Sequence, residues 1–496
     1  MRILPPIIES FYFSRLKRLE DQLIREKFHA NIHLLENSDQ GIIFLRNDLS
    51  VYGCPKPLKR ALENFLLGVP RTSACLNQGI RDNDFDQLLH FLLGKLESRP
   101  KQTGKKPEPC RRGHSLDRLV LNISNACNLK CRYCYAGGGN YYLPHSFMDT
   151  ATAAAILDRF FHLFDSIDKI QFFGGEPLLN SGLIEYICQD CRQRHQRGEI
   201  EKMPKFGVVT NGTVFSAEII GLLKRHNINL TISLDGPETV NDDLRGFGTF
   251  DKISQFVRSL ESHQIGYSFE GTYTARHLEE GLSVCDLLNF YHDYFGQGEV
   301  HLPLVSLPPG HPLAISDGQA AKIYRRAVER SMVDMINGHR SCVSSFVTRM
   351  MNAYSEAEPI QNYCPAGIST LAVDSTGGVY PCFMFIGRPE FHLGNILDPN
   401  FPDGPKIRDI SRRILEADKG NAAECRECWA SPLCSGCIGA DYIRTGGTLD
   451  KTSCLMTKEM AEGFLAKIAE INDKKQEKIE RAYIKEGGGS SCDKFF

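Results

Sequence analysis

The chain has 496 residues, 42% hydrophobic and 24% charged, which excludes a disordered or fibrous protein and asks for about two to four domains. Its 58 Lys and Arg against 60 Asp and Glu leave a net charge of −2, a balance that argues against binding nucleic acid through phosphate neutralisation. No apolar run reaches about 18 residues and no signal-peptide pattern opens the chain, so the expected location is the cytoplasm, with no membrane partner.

Residues 1–112 read as a small α+β unit and a linker. A helix is expected over 8–30, short strands at 32–35 and 41–45, and further helices over 58–67 and 84–96. The stretch 99–112, with Lys101, Lys105, Lys106, Pro107 and Pro109, is a basic, proline-bearing linker. From 113 to 340 strands and helices alternate. Strands are expected at 118–124, 169–173, 206–210, 229–234, 266–273 and 300–307. The helices between and after them are expected at 150–164, 181–196, 216–226, 251–263, 279–295 and 319–335. Such alternation implies parallel strands joined by helical crossovers. Six units make an α/β fold, a partial (β/α)6 barrel of TIM type, whose reacting groups gather at the C-terminal ends of the strands. Residues 341–455 are loop-rich and crowded with cysteine, and 456–496 comprise a charged helix over 457–485 and a Gly/Ser tail.

The motifs stand at the expected strand ends. Cys127, Cys131 and Cys134, spaced C-x3-C-x2-C, follow the apolar run 119–123. Three thiolates on one loop can hold three irons of a [4Fe–4S] cube and leave the fourth open; a structural zinc would want a fourth ligand, and none lies on this loop. After the second strand comes Gly174-Gly175-Glu176-Pro177, where paired glycines permit close backbone approach and the carboxylate can accept from an ammonium. Thr210-Asn211-Gly212 ends the third strand. Ser233 and Asp235, two apart and on one side, end the fourth, where they could bind ribose hydroxyls or a carboxylate with Arg245 as partner. Each of these is also an ordinary strand-end turn by composition.

Cysteines return in the order Cys342, Cys364, Cys382, Cys425-x2-Cys428-x5-Cys434-x2-Cys437 and Cys454. Two C-x2-C pairs could be zinc knuckles, but the additional cysteines are too many for one zinc. Cys188 and Cys191 share a helix face and read as core, while Cys54, Cys75, Cys110 and Cys285 read as structural thiols and Cys492 lies on the tail.

Together, the cysteine loop (with Tyr133 before its last cysteine) and the strand-end motifs resemble the radical S-adenosylmethionine (radical SAM) superfamily. The later cysteines resemble the SPASM extension of radical SAM peptide maturases. The resemblance implies three [4Fe–4S] clusters and SAM, with a 5′-deoxyadenosyl radical abstracting hydrogen from the substrate. It places SAM against Tyr133, Gly174, Gly175, Glu176, Asn211, Ser233, Asp235 and Arg245, and the SAM-binding cluster on Cys127, Cys131 and Cys134. Cys364, Cys382 and Cys437 would hold a first auxiliary cluster. Cys342 would complete it, or leave an open iron for a substrate thiolate. Cys425, Cys428, Cys434 and Cys454 would hold the second. Two departures stand out: Cys434-Ser435-Gly436-Cys437 is one residue short of the SPASM spacing, and Phe383 follows Cys382 where sulfatase-maturing members carry an Asp base.

The implied function is maturation of a ribosomal precursor peptide (RiPP) by an intramolecular cross-link. A thioether is favoured, with carbon–carbon or carbon–oxygen links next. The alternatives are radical modification of a protein side chain, as in sulfatase maturation, or a non-catalytic iron–sulfur electron carrier. Expected partners are the precursor peptide and an electron donor such as flavodoxin or ferredoxin. The N-terminal unit resembles winged-helix-like modules that bind a leader peptide, and reads equally as a packing extension of the barrel.

Overall fold

The computed structural model describes residues 6–97, 115–297, 299–337, 343–402, 405–447 and 453–471; Cys110, Cys342, Cys492 and the linker lie outside them. The N-terminal unit runs α1 (Pro6–Asn31), β1 (Ile32–Glu36), β2 (Gly41–Leu45), β3 (Ser50–Cys54), α2 (Lys56–Leu66), α3 (Arg71–Leu76) and α4 (Asp82–Glu97). Its three strands form an antiparallel sheet in the order β1-β2-β3. Every residue of β2 is buried, because the sheet is covered on both faces. Ile43 and Leu45 pack under the helices with Phe28, Phe65 and Phe85, while Ile42 and Phe44 join the core of the rest of the molecule. The short runs that become β3 and α3 carry too few periodic residues to be read from sequence.

The second unit alternates β4 (Ser115–Ser124), α5 (Thr150–Leu163), β5 (Ser166–Gly174), α6 (Ser181–Gln196), β6 (Lys205–Thr210), α7 (Ala217–Arg225) and β7 (Asn229–Ser233). It continues through α8 (Glu238–Arg245), α9 (Thr249–Ser262), β8 (Tyr267–Glu270), α10 (Ala275–Glu279), α11 (Val284–Phe295), β9 (Glu299–His301) and α12 (Asp317–Asn337). The remainder comprises β10 (Val343–Ser344), α13 (Ser345–Glu356), β11 (Thr370–Val373), β12 (Gly378–Tyr380), β13 (Gly394–Asn395), α14 (Pro405–Glu416), α15 (Ala423–Arg426), α16 (Ile438–Thr445) and α17 (Cys454–Ile468).

Strands β4 to β9 are parallel neighbours, as expected of a partial barrel, and the sheet does not stop there. It runs β10-β9-β8-β7-β6-β5-β4-β11-β12-β13, so the cysteine-rich part extends the barrel sheet through β11, parallel to β4. Strands β8 and β9 are shorter than their apolar runs suggest. At Gly271 a side chain would meet the Leu234 carbonyl oxygen at 2.4 Å, and Pro303 ends β9 because it has no N–H to give. The helix expected over 279–295 starts later, as α11, and the short α10 stands before it: Thr274 with His277, and Ser283 with Asp286, form separate capping boxes for the two. Of the tail helix expected over 457–485, the described part is α17, and 472–485 lies outside the described residues.

Among the described residues no helix is long and apolar enough to cross a membrane.

Candidate active site

Along β4, Arg118, Val120 and Asn122 alternate with Leu119, Leu121 and Ile123, giving the strand a mixed inner face and an apolar outer one. The chain then enters the cysteine loop, which is fastened at its root. Asn125 N–H donates to the Ser146 carbonyl at 2.8 Å, and the Asn125 amide donates to Ser375 Oγ at 3.0 Å. The end of β5 zips onto the same loop: Gly175 N–H donates to Ser124 O at 2.8 Å and Glu176 N–H to Ala126 O at 2.9 Å. This explains the glycine pair. A Cβ on Gly174, whose φ is +142°, would meet Ser124 O at 2.4 Å, and one on Gly175 would meet Ala126 O at 2.4 Å. The close approach is to the loop that carries the cysteines. Gly175→Ala is therefore expected to displace that loop at a cost of about 1–3 kcal/mol. Iron bound at the loop should fall, read from the electron paramagnetic resonance (EPR) of reduced protein; unchanged iron would refute the placement.

Cys127, Cys131 and Cys134 line one cavity of about 380 Å³. Asn211 reaches over Cys127, its amide 3.7 Å from Sγ and 2.9 Å from Asn128 Oδ1. Gly174, Gly175, Asn211, Ser233, Tyr133 and Arg245 also line this cavity.

Two of the expected residues, Glu176 and Asp235, are buried and engaged by the protein itself. Glu176 is fully buried behind the glycines: Oε1 accepts from Leu178 N–H (2.9 Å) and Thr210 Oγ1 (2.8 Å), and Oε2 from Asn211 N–H (2.7 Å). It braces the ends of β5 and β6 and does not stand open to a ligand ammonium. Burial lifts its carboxyl to about 7 against these three donors. Asp235, also fully buried, accepts from Tyr133 Oη (2.6 Å), Arg245 Nε (2.8 Å) and Nη2 (3.0 Å), and Thr272 N–H (2.8 Å). Four donors saturate both oxygens, so none is left for ribose hydroxyls. Burial works against the Arg245 charge, and Asp235 beside it keeps the guanidinium protonated.

The cysteine-rich part also contributes to the lining. Cys364, Cys382 and Cys437 line the same cavity, and the Cys437 thiol feels both Cys364 and Cys382 electrostatically. The shortened spacing is accommodated by Gly436, whose N–H donates to Tyr363 O at 2.8 Å and which lies so flat on the Tyr363 ring that a Cβ would sit 2.2 Å from it. Cys425, Cys428 and Cys454 crowd a different thiol, Cys434. Cys342 lies outside the described residues. Burial pushes Cys131 up to about 11 and Cys382 and Cys434 up to about 12, so each gives up a proton when a metal binds. Among the described residues no three His, Cys, Asp or Glu side chains converge as around a single ion. A cube needs no such convergence, because each iron takes its own thiolate. Phe383, after Cys382, packs on Phe173 with centroids 4.4 Å apart and makes this part of the wall apolar.

Sequence reading missed the polar interior of the barrel. Arg118, Gln171, Thr231, Glu270 and His301 all line the cavity from strands β4 to β9, beside the expected Ser233. Their signal was period-2 alternation with polar residues on the inward phase, which is weak in strands this short. Burial lifts Glu270 to about 7, opposed by Arg245 and Arg118. Burial, with Arg349 adding to it, lowers His301 to about 3, so its imidazole is neutral, and its Nδ1 lies 2.7 Å from Ser345 Oγ. Lys419, 4% exposed, also escaped notice; its ammonium donates to Ser431 O (2.7 Å) and Cys434 O (2.8 Å), beside the second cysteine set.

The N-terminal sheet docks on that set. His33 stacks on Trp429, next to Cys428, with centroids 3.6 Å apart and planes 3° from parallel. The chain has one tryptophan. Its fluorescence should therefore change on His33→Ala if the sheet rests there in solution; an unchanged spectrum would refute the stacking.

Residues 121–275 match the model of the radical SAM superfamily, and residues 364–429 match that of the SPASM iron–sulfur cluster-binding domain. A cysteine-type anaerobic sulfatase-maturating enzyme of Clostridium novyi is 22% identical over 380 residues, 72% of this chain and 97% of that one. The radical SAM cyclopropyl synthase TigE of Paramaledivibacter caminithermalis is 26% identical over 390 residues, covering 73% and 77%. A solved structure of native anSMEcpe with bound AdoMet and Cp18Cys peptide shares the fold, with a TM-score of 0.58 at 19% identity over 72% of this chain and 99% of that chain.

Proposed function

This chain is a radical SAM enzyme with a SPASM domain, and from that premise we propose that it matures a ribosomally made precursor peptide by installing an intramolecular cross-link. Its cofactors are SAM and [4Fe–4S] clusters, one in the barrel and two auxiliary. When bound, they supply a carbon-centred radical that takes hydrogen from an unactivated side-chain carbon.

The single observation that carries the reading is the shared cavity. Cys127, Cys131 and Cys134 line the same cavity as Cys364, Cys382 and Cys437, so a side chain inside can reach both sets. On this reading the first three cysteines hold the SAM-binding cluster. Cys364, Cys382 and Cys437 hold the first auxiliary cluster, with Cys342 as its fourth ligand, and Cys425, Cys428, Cys434 and Cys454 hold the second. Gly174, Gly175, Asn211 and Ser233 position SAM. Tyr133 and Arg245 border it, Arg245 being oriented by Asp235, while Glu176 fixes the Asn211 backbone. Phe173 and Phe383 keep water from one side.

A thioether from a peptide cysteine is the favoured link, ahead of a carbon–carbon or carbon–oxygen bond to an aromatic ring. The leader peptide adds as a strand along β3, which pairs with β2 on one side only among the described residues. A flavodoxin or ferredoxin supplies the electron. The second reading, modification of a protein side chain as the Clostridium relative's name states for sulfatases, is favoured by that relative's coverage. It is opposed by Phe383, which cannot accept a proton.

Coexpression with the short peptides encoded beside its gene tests the proposal. One such peptide should lose about 2 Da per link in the mass spectrum, the mass of two hydrogens. Modification of a sulfatase peptide alone would favour the second reading, and no mass change in any peptide would overturn the first.

A further inference from the structure

The cavity is rich in cations and almost bare of carboxylates. Arg118, Arg245, Arg349 and Arg444 line it, and among its described lining residues Glu270 is the one Asp or Glu. The other two carboxylates at the strand ends are fully buried and do not line the cavity: Glu176 accepts three hydrogen bonds and Asp235 four. Glu270 differs from both. It stands at the end of β8 with Ser233 of β7 and His301 of β9 beside it in register, all three lining the cavity. Among the described residues, no hydrogen bond is made to its carboxylate. Phe383, which follows Cys382 and packs on Phe173, has no proton acceptor to offer.

We propose that Glu270 is the proton acceptor of this cavity, taking the proton from the peptide thiol that enters the cross-link. The proposal rests on the peptide-maturase reading above. In the step, the S–H bond breaks and an O–H bond forms on Glu270. The bonding pair stays on sulfur as thiolate, and the carboxylate becomes a carboxylic acid. No electron leaves the pair of groups, so the step balances by itself.

The groups facing Glu270 are Arg118 from β4, Asp235 and Arg245 from the β7–α8 region, and His301 from β9. His301 is neutral and Arg245 stays charged, while burial lifts the Glu270 carboxyl to about 7. An acceptor must be ionised. Link closure should therefore quicken as pH rises through about 7 and level off above it.

Wild-type, Glu270→Gln and Glu270→Asp holoenzymes are compared on the same precursor peptide, deuterated at its side-chain carbons, with iron content and EPR confirming equal cluster loading. Two products are followed: deuterium transferred to 5′-deoxyadenosine, and peptide lighter by one link. Glu270→Gln should still transfer deuterium while closure falls about 100-fold or more and loses its rise with pH. Glu270→Asp should retain part of the closure and the rise. Closure by Glu270→Gln within threefold of wild type, with the same pH profile, would overturn the assignment and leave the peptide reading standing. Loss of deuterium transfer as well as closure, at full cluster loading, would make Glu270 a substrate-positioning group and also overturn it. A wild-type enzyme that draws deuterium from no such peptide would overturn the peptide reading and, with it, this role.

Discussion

Replacing Cys127, Cys131 and Cys134 together by alanine is expected to abolish reductive cleavage of SAM to 5′-deoxyadenosine by the reconstituted protein. The three thiols line the cavity and are the thiols contributed by the loop between β4 and α5. Without them no iron is presented there with an open position. The fold should survive, because the loop is held by Asn125, by the end of β5 and by Arg132 N–H, which donates to the Leu244 carbonyl at 2.9 Å, none of which is touched. Circular dichroism should therefore match wild type, and bound iron should fall by about a third, since one of three cubes is lost. Cleavage that persists in this variant would refute the assignment of the loop, whatever the peptide results.

The largest expected stability effect lies at Arg245. Its guanidinium grips the Asp235 carboxylate through two nitrogens, Tyr133 closes the same carboxylate from the cysteine loop, and Arg245 and Asp235 are 7% and 0% exposed. Arg245→Met leaves a buried carboxylate without its cation, a loss of about 3–5 kcal/mol by urea unfolding. Asp235→Asn with Arg245→Met should recover part of that loss, because the double change removes both charges. If Arg245→Met costs under about 1 kcal/mol, the pair is not the buried tie between barrel and cysteine loop described here.

Much of the site was legible because its chemistry is written in adjacent residues. Cys127, Cys131 and Cys134 sit within one turn of loop, and strand–helix alternation placed that loop and Gly174-Gly175-Glu176 at neighbouring strand ends. What could not be read was which way a carboxylate faces. Glu176 and Asp235 look alike in sequence, as acidic residues at strand ends, and both prove to be buried braces held by backbone and side-chain donors. Glu270 carried no motif, yet it is the carboxylate left open to the cavity. The difference depends on donors from β6, from α8 and from the turn after β8, far apart along the chain.

By itself the sequence determined the alternation of elements, the cysteine loop, the later cysteines and the turn glycines, since these depend on side-chain period, thiol spacing and backbone freedom over a few residues. The tertiary structure alone decided that β11 joins the barrel sheet at β4. That pairing brings Cys364 and Cys382 to the cavity of Cys127, Cys131 and Cys134, and it leaves the wall at residue 383 apolar. Pairing between strands some 250 residues apart rests on packing and backbone hydrogen bonds that no local pattern encodes.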